Sequence, residues 1–484
     1  MPATPHKTPA RHLVWPVVCV LLVVALVVAS VVAVPAALAE VAPGSGASTG
    51  TGSGAVDGSG GTAAANPSVA GDSEEAPPVD ADAVQRALDG VLDGAPGTAG
   101  AAVLAVDSDD VVAGESPERA VVPASNQKLV TALSLAEHLD PHERLRTTVV
   151  TGEDPGKLTL VAGGDTLLSP GDGDPEAVNG RAGLGTLARR TADALRERAP
   201  EAASNGVTVA VDTSLFTGAD LNPDWDPEDI ESGEITRVAP IALYSHRVPT
   251  ADGADPGSQG SRPSDPAAAA AQAFADRLSE QLRGARVSVK GTAAAPQDAE
   301  ELAAVESAPV HEQSAYMLAH SDNSLAETLA RVAAVASGRE GSVAGVQEML
   351  PEALQEQGIA TDGLAVKDAS GMAAADRLTP LVLARTVRAL VTEQRFAPYG
   401  RGLPVGGGAG TLAQRFDDSS EAAARGRTRA KTGTLLDVAS LSGYVQCEDG
   451  NVLVYSLVLN GVKGKTDRAR NTVDTAVAAL TGAA

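Results

Sequence analysis

Apolar residues along this chain recur on two spacings, one helical and one strand-like, and the switches between them mark its elements. Asp80 is placed to cap a first helix carrying Val84, Leu88, Val91 and Leu92 along one side, with Gly94 past its end. The stretch AAVLAVDSDDVVAGES (101–116) predicts two strands around a turn at Ser108-Asp109-Asp110. A helix over 126–138 follows, with Leu129, Val130, Leu133 and Leu135 apolar and Ser125 near its first turn. Strands are predicted again within 147–163, ending in the tight turn Gly163-Gly164-Asp165. Then come a helix over 184–199, a strand over 207–211 and a polar surface loop over 250–265. An Ala-rich helix over 266–282 with Pro266 at its start and a strand over 285–291 complete this middle part.

A strand near 303–307 leads into helices over 310–320 and 324–336. A further helical stretch, 340–358, is expected to break near Pro351. A short strand over 364–368 and a helix over 379–391 precede a turn-rich segment at 403–416. Adjacent sheet strands are expected over 427–434, 440–445 and 451–459, with a helix over 468–480 closing the chain. A terminal helix packed on an antiparallel sheet predicts an α+β fold. Residues 145–300 read as a mixed α/β insertion that divides a body made of 80–144 and 301–484.

Composition narrows the picture. With aromatics at 2% and hydrophobic residues at 43%, the core must be built from Ala, Val and Leu. A net charge of −25 argues against a generally basic surface for nucleic acid or anionic lipid. Lys7 and Arg11 precede an uncharged run over 13–39, long enough to cross a bilayer, with a small-residue cleavage site at Ala37-Leu38-Ala39. Residues 1–39 are therefore expected to act as a signal peptide or an N-terminal membrane anchor that leaves the body outside. The Gly/Ser/Ala/Pro-rich stretch 40–79 is expected to be a flexible linker. Cys19 and Cys447 fall on different sides of that arrangement, so no internal disulfide is expected. Cys447 reads as a buried small hydrophobe.

Three short motifs carry candidate chemistry. Ser125 and Lys128 stand three apart at a helix start and share a face, so Lys128 is placed to activate the Ser125 hydroxyl if its ammonium is desolvated. Ser321-Asp322-Asn323 lies between two helices; Ser321 is a candidate proton relay and Asn323 a candidate for binding a substrate amide and holding Lys128. Lys431-Thr432-Gly433-Thr434 sits on a strand, where Lys431, Thr432 and Thr434 suit a substrate carboxylate and Gly433 keeps the strand edge clear. The backbone N–H groups of Ser125 and Thr434 are the candidate oxyanion hole. Taken singly, each motif has a bland reading. The first is a capping serine with a surface lysine. The second is a helix start at Ser321 or Asn323 aided by Glu327, and the third a solvated turn. Their shared order is the Ser-x-x-Lys, Ser-x-Asn, Lys-Thr-Gly signature of serine acyl transfer. That chemistry requires no metal or cofactor.

Beyond the triplets, several stretches resemble the class C low-molecular-mass penicillin-binding proteins, the D-alanyl-D-alanine carboxypeptidase/endopeptidases of peptidase family S13. They are PASNQKL at 123–129, GGDTLL at 163–168, VDTSLF at 211–216 with Trp225, HSDNSLAETLAR at 320–331, DASGM at 368–372 and LPVGGGAGTLAQR at 403–415. The resemblance spans about residues 80–480 and departs from the family pattern at Thr166, Ala369, Met372 and Ala409. It implies a serine penicillin-recognising transpeptidase-like domain, an antiparallel sheet with helices on both sides. The insertion then lies between the first two motifs. It further implies acylation of Ser125, with Lys128 as base and Ser321 as relay, and a structural turn at Asp368, Ser370 and Gly371. The implied substrates are peptidoglycan stem peptides ending in D-Ala-D-Ala or cross-linked through it, with β-lactam antibiotics as covalent inhibitors. A β-lactamase with the same acylation apparatus and a noncatalytic cell-envelope binding protein are the alternative readings.

Overall fold

The structure, a computed structural model, describes residues 76–257 and 260–484. The apolar run 13–39, Cys19 and most of the linker expected over 40–79 lie outside the described residues. Among the described residues no helix is long and apolar enough to cross a membrane.

Helix α1 (Ala81–Leu92) starts where Asp80 accepts a hydrogen bond from Ala83 N. Strands β1 (Thr98–Ala105) and β2 (Val111–Glu115) follow, and a 3-10 turn at Ala124–Asn126 runs into α2 (Gln127–His138). Next come β3 (Arg144–Thr151), β4 (Lys157–Val161), α3 (Leu184–Arg198), β5 (Val207–Asp212), α4 (Pro266–Gln281), β6 (Val287–Thr292) and β7 (Glu300–Pro309). The chain continues through α5 (Val310–His320), α6 (Asn323–Ala336), α7 (Val343–Glu356) and α8 (Pro380–Thr392). It ends with β8 (Thr428–Leu435), β9 (Val438–Gln446), β10 (Val452–Asn460) and α9 (Thr466–Leu480).

Two five-stranded sheets organise these elements. The first is antiparallel, in the order β2-β1-β10-β9-β8. One face packs Val103, Leu441, Tyr455 and Leu457 against Val84 and Leu88 of α1 and Val473 and Val477 of α9. The other packs Ala102, Leu104, Val454 and Val458 with Leu129, Leu133 and Leu383 of α2 and α8. Burial on both faces explains the nearly unbroken apolar run of β10. Each fully buried Leu or Val contributes roughly 1.5–3 kcal/mol. The fold is thus the expected α+β body, a sheet with helices on both sides.

The second sheet, β6-β5-β4-β3-β7, is mixed: β4-β5 and β5-β6 are parallel, while β3 pairs antiparallel with β4 and β7. Helices α3 and α4 cover it through Leu187, Leu195, Phe274 and Leu278. Strand β7, just past the approximate boundary expected at residue 300, pairs with β3 as far as Pro309 opposite Arg144. Alternation in EELAAVESAP reveals a strand but not its partner.

Two local expectations fail. Helix α7 runs through Pro351 without a break. Proline forfeits one backbone donor, and the buried stripe Val346, Met349, Leu350, Ala353 and Leu354 holds the helix around it. Residues 364–368 form no strand, only an isolated pairing of Ala365 with Arg377. Side chains take the backbone there: Lys367 N donates to Asp376 Oδ1, and Lys367 O accepts from Asn222 and Gln347.

Candidate active site

The turn bearing Ser125 is pinned to the first sheet. Ser440 Oγ donates to Pro123 O at 2.8 Å, and Asn126 Nδ2 donates to Ser442 Oγ at 2.9 Å. The two serines are two apart on β9 and therefore face the same way. Ala124 takes a left-handed φ of 49° to make the turn. Helix α2 has no side-chain cap, so Ser125 is not spent as one.

Lys128 is fully buried one turn along. Its Nζ donates to Ser125 Oγ at 3.0 Å, Asn323 Oδ1 at 2.6 Å and Ser370 O at 2.6 Å. Burial pulls its pKa down to about 8, against Asp368, Asp322, Glu327 and Glu234, which favour the charged form.

Ser321 closes α5 in a left-handed conformation, φ 55°. The cap of α6 is neither Ser321 nor Asn323 but Asp322, whose Oδ1 accepts from Leu325 N at 3.0 Å. That frees Ser321 Oγ, which accepts from Lys431 Nζ at 2.9 Å. Burial first, and the Lys128 ammonium second, hold Lys431 well below the usual lysine range. Burial alone would raise the pKa of Asp322. Arg247, Arg262 and the Leu325 N–H instead hold it down to about 2.

Strand β8 brings up the third motif. A Cβ on Gly433 would lie 2.2 Å from Ser440 Oγ and 3.0 Å from Pro123 O, so only glycine lets the strand approach the Ser125 turn. Thr432 Oγ1 is 2.8 Å from Thr411 Oγ1. Ser125, Ser321, Asn323, Thr432 and Thr434 all line one cavity of about 570 Å³, together with Glu234, Met372, Thr411, Arg415 and Leu436. Lys128, Lys431 and Gly433 stand behind its wall. Lys431 meets the cavity through Ser321, to whose Oγ its Nζ donates.

Sequence reasoning missed the scaffold under Lys128. Glu327 does not help start α6. Its Oε1 accepts from Ala369 N and Ser370 N, both at 2.9 Å, and so aims Ser370 O at Lys128. Its position one turn after Asn323 on the same helix face was the available signal. Asp368, expected only as part of a turn, gathers the N–H groups of Gly371, Met372 and Ala373, the Ser370 hydroxyl and Trp225 Nε1. Gly371 packs tightly, since a Cβ would meet Ala124 O at 2.0 Å. Arg415, on the cavity wall, is held by Asp474 of α9 through two hydrogen bonds of 2.8 and 2.5 Å.

Comparisons with known proteins agree with this geometry. A family profile described as the D-Ala-D-Ala carboxypeptidase 3 (S13) family matches residues 82–260 and 248–482. A carboxypeptidase of Mycobacterium tuberculosis is 33% identical over 384 residues, covering 75% of this chain and 79% of that protein. Carboxypeptidase DacB of Mycolicibacterium smegmatis is 34% identical, covering 71% of this chain and 73% of its own length. The crystal structure of penicillin binding protein 4 from Haemophilus influenzae superimposes with a TM-score of 0.63 at 17% identity, covering 80% of this chain and 97% of that one, a likeness of fold. With its three motifs converging on one cavity, the chain belongs to the D-Ala-D-Ala carboxypeptidase 3 (S13) family.

Proposed function

We propose that Ser125 carries the acyl group in the D-Ala-D-Ala carboxypeptidase and D,D-endopeptidase reaction of this enzyme. The observation that supports it most directly is the Lys128 Nζ to Ser125 Oγ hydrogen bond of 3.0 Å, made by a fully buried lysine whose pKa is lowered to about 8. Neutral Lys128 takes the hydroxyl proton as Oγ attacks the carbonyl carbon of the penultimate D-alanine. The oxyanion is received by the N–H groups of Ser125 and Thr434. Ser321 relays the proton to the departing amine, assisted by Lys431 behind it. Asn323 holds Lys128 with Oδ1 and lines the cavity where the donor peptide would lie. The terminal carboxylate is bound by Thr432 and Thr434, with Thr411 and Arg415 beside them. Water then releases the acyl product. When the leaving amine belongs to a neighbouring stem, the same steps cut a cross-link.

β-Lactams occupy the acyl-donor position and acylate Ser125. A β-lactamase would deacylate that adduct rapidly, and a noncatalytic binding protein would have no reason to bury Lys128 against Ser125. The enzyme works on the cell wall, outside the membrane. The run 13–39 is our candidate for the export signal and for retention at the membrane. Mass spectrometry of purified muropeptides before and after incubation, with Ser125→Ala as control, tests the assignment. Loss of one D-alanine and breakage of cross-links give separate products. No change beyond the control defeats the hydrolase reading, and rapid penicillin turnover replaces it with the lactamase one.

A further inference from the structure

Three successive non-glycine residues, Tyr244, Ser245 and His246, hold left-handed φ values of 42°, 56° and 61°. L-residues rarely adopt this conformation even singly, so a run of three persists only where its surroundings over-determine it. All three are buried, between strand β5 and helix α4 in the chain. Tyr244 N and Ser245 N donate to Leu168 O and Thr166 O, and Arg247 N donates back to Leu243 O. The turn points into the start of α6. Ser245 Oγ donates to Asp322 Oδ1 at 2.7 Å and Arg247 Nη1 to Asp322 Oδ2 at 2.9 Å.

Arg262 locks the other side. Its Nη1 donates to Ser245 O at 3.0 Å and Ser324 Oγ at 2.9 Å, its Nε to Gly233 O at 2.6 Å and its Nη2 to Glu234 O at 3.2 Å. Glu234 O in turn accepts from Asn323 Nδ2 at 3.2 Å. That contact decides which way the Asn323 amide lies: Nδ2 faces Glu234 O and Met372 Sδ, so Oδ1 faces Lys128.

We propose that Ser245, Arg247 and Arg262 are positioning residues for the second motif, through which the turn at 244–247 and Arg262 set the orientation of Asn323 and thereby the hydrogen bonding of Lys128. The inference rests on Lys128 serving as base for Ser125. On this view the strained turn is kept because it delivers a hydroxyl and a guanidinium to one carboxylate at fixed spacing. A relaxed loop would deliver them with several geometries, and misplacement of about 1 Å costs on the order of 100-fold in rate.

The test is a double-mutant cycle on acylation of the full chain by a fluorescent penicillin, followed as a rate constant separated from the binding constant. Arg262→Met and Asn323→Ala are each expected to slow acylation about 10–100-fold with little change in binding. Their combination is expected to be no slower than Asn323→Ala alone, because Arg262 acts through Asn323. Ser245→Ala is the milder arm, with an expected loss of about 3–10-fold, and Arg262→Lys is expected to fall between wild type and Arg262→Met. These two carry the cycle if Arg262→Met does not fold. Fully additive losses, or variants acylating at the wild-type rate, overturn the inference while leaving Ser125 and Lys128 in place. Absence of any adduct on Ser125 in the wild type overturns both.

Discussion

Lys128 and Lys431 end on different serines of one cleft, the first 3.0 Å from Ser125 Oγ and the second 2.9 Å from Ser321 Oγ, and both are fully buried. Two ammonium groups so placed oppose each other's charge. Lys128 has carboxylates around it, whereas burial and Lys128 both depress Lys431. Each serine of the cleft thus has a buried amine of its own, and burial favours the neutral form of both.

The acylation rate is expected to rise with pH up to about 8, where Lys128 becomes neutral. The second-order rate of penicillin acylation between pH 5 and 10 measures this, and the apparent midpoint belongs to the coupled lysines. A flat profile from pH 6 to 9 would remove Lys128 from the role of base.

Glu327→Gln keeps an acceptor for Ala369 N and Ser370 N but removes a charge facing Lys128. The Lys128 pKa then falls, and the acid limb of the profile moves to lower pH. Stability shifts as well. Burial, with Asp368, raises Glu327 above the ordinary glutamate range to about 7. Its protonated form thus favours folding below the unfolded value, and that contribution is lost as pH rises through the folded one. Glutamine is expected to gain roughly 1–3 kcal/mol over glutamate between pH 5 and pH 8. Thermal unfolding at both pH values reads this; an equal difference at each would refute it.

Gly433→Ala is expected to move β8 away from the Ser125 turn, since its Cβ meets Ser440 Oγ at 2.2 Å and Pro123 O at 3.0 Å. Overpacking of this kind costs roughly 1–3 kcal/mol. Acylation should fall by more than 100-fold while the far-ultraviolet dichroism stays unchanged. Adding Ser440→Ala removes the nearer obstacle and should restore part of the rate.

Trp225→Phe removes the 2.8 Å hydrogen bond from Nε1 to Asp368 Oδ2 and leaves the ring volume largely filled. A loss of roughly 1–2 kcal/mol is expected from denaturant unfolding, because the carboxylate keeps its backbone donors. A loss below a few tenths would show that Trp225 acts by packing alone.

The sequence carried the three motifs and most elements because these are written in local spacing. Ser125 and Lys128 share one helix turn, and Lys431 through Thr434 share one strand. What it could not carry were partners chosen by tertiary proximity. Arg247 and Arg262 meet Asp322 and Ser324 across 62 residues or more, and nothing in either stretch names the other. Pro351 shows the converse, a strong local signal outweighed by a buried stripe. The partner of β7 was illegible for the same reason as the arginines: a strand's sequence does not say which edge it joins.

The pairing of Arg144 with Pro309 places the two ends of the chain segment that builds the second sheet side by side. A segment closed this way enters and leaves at one point, whatever the length of chain between its ends. What lies between those ends still reaches out of its own sheet, since Ser245, Arg247 and Arg262 grip Asp322 and Ser324 at the start of α6.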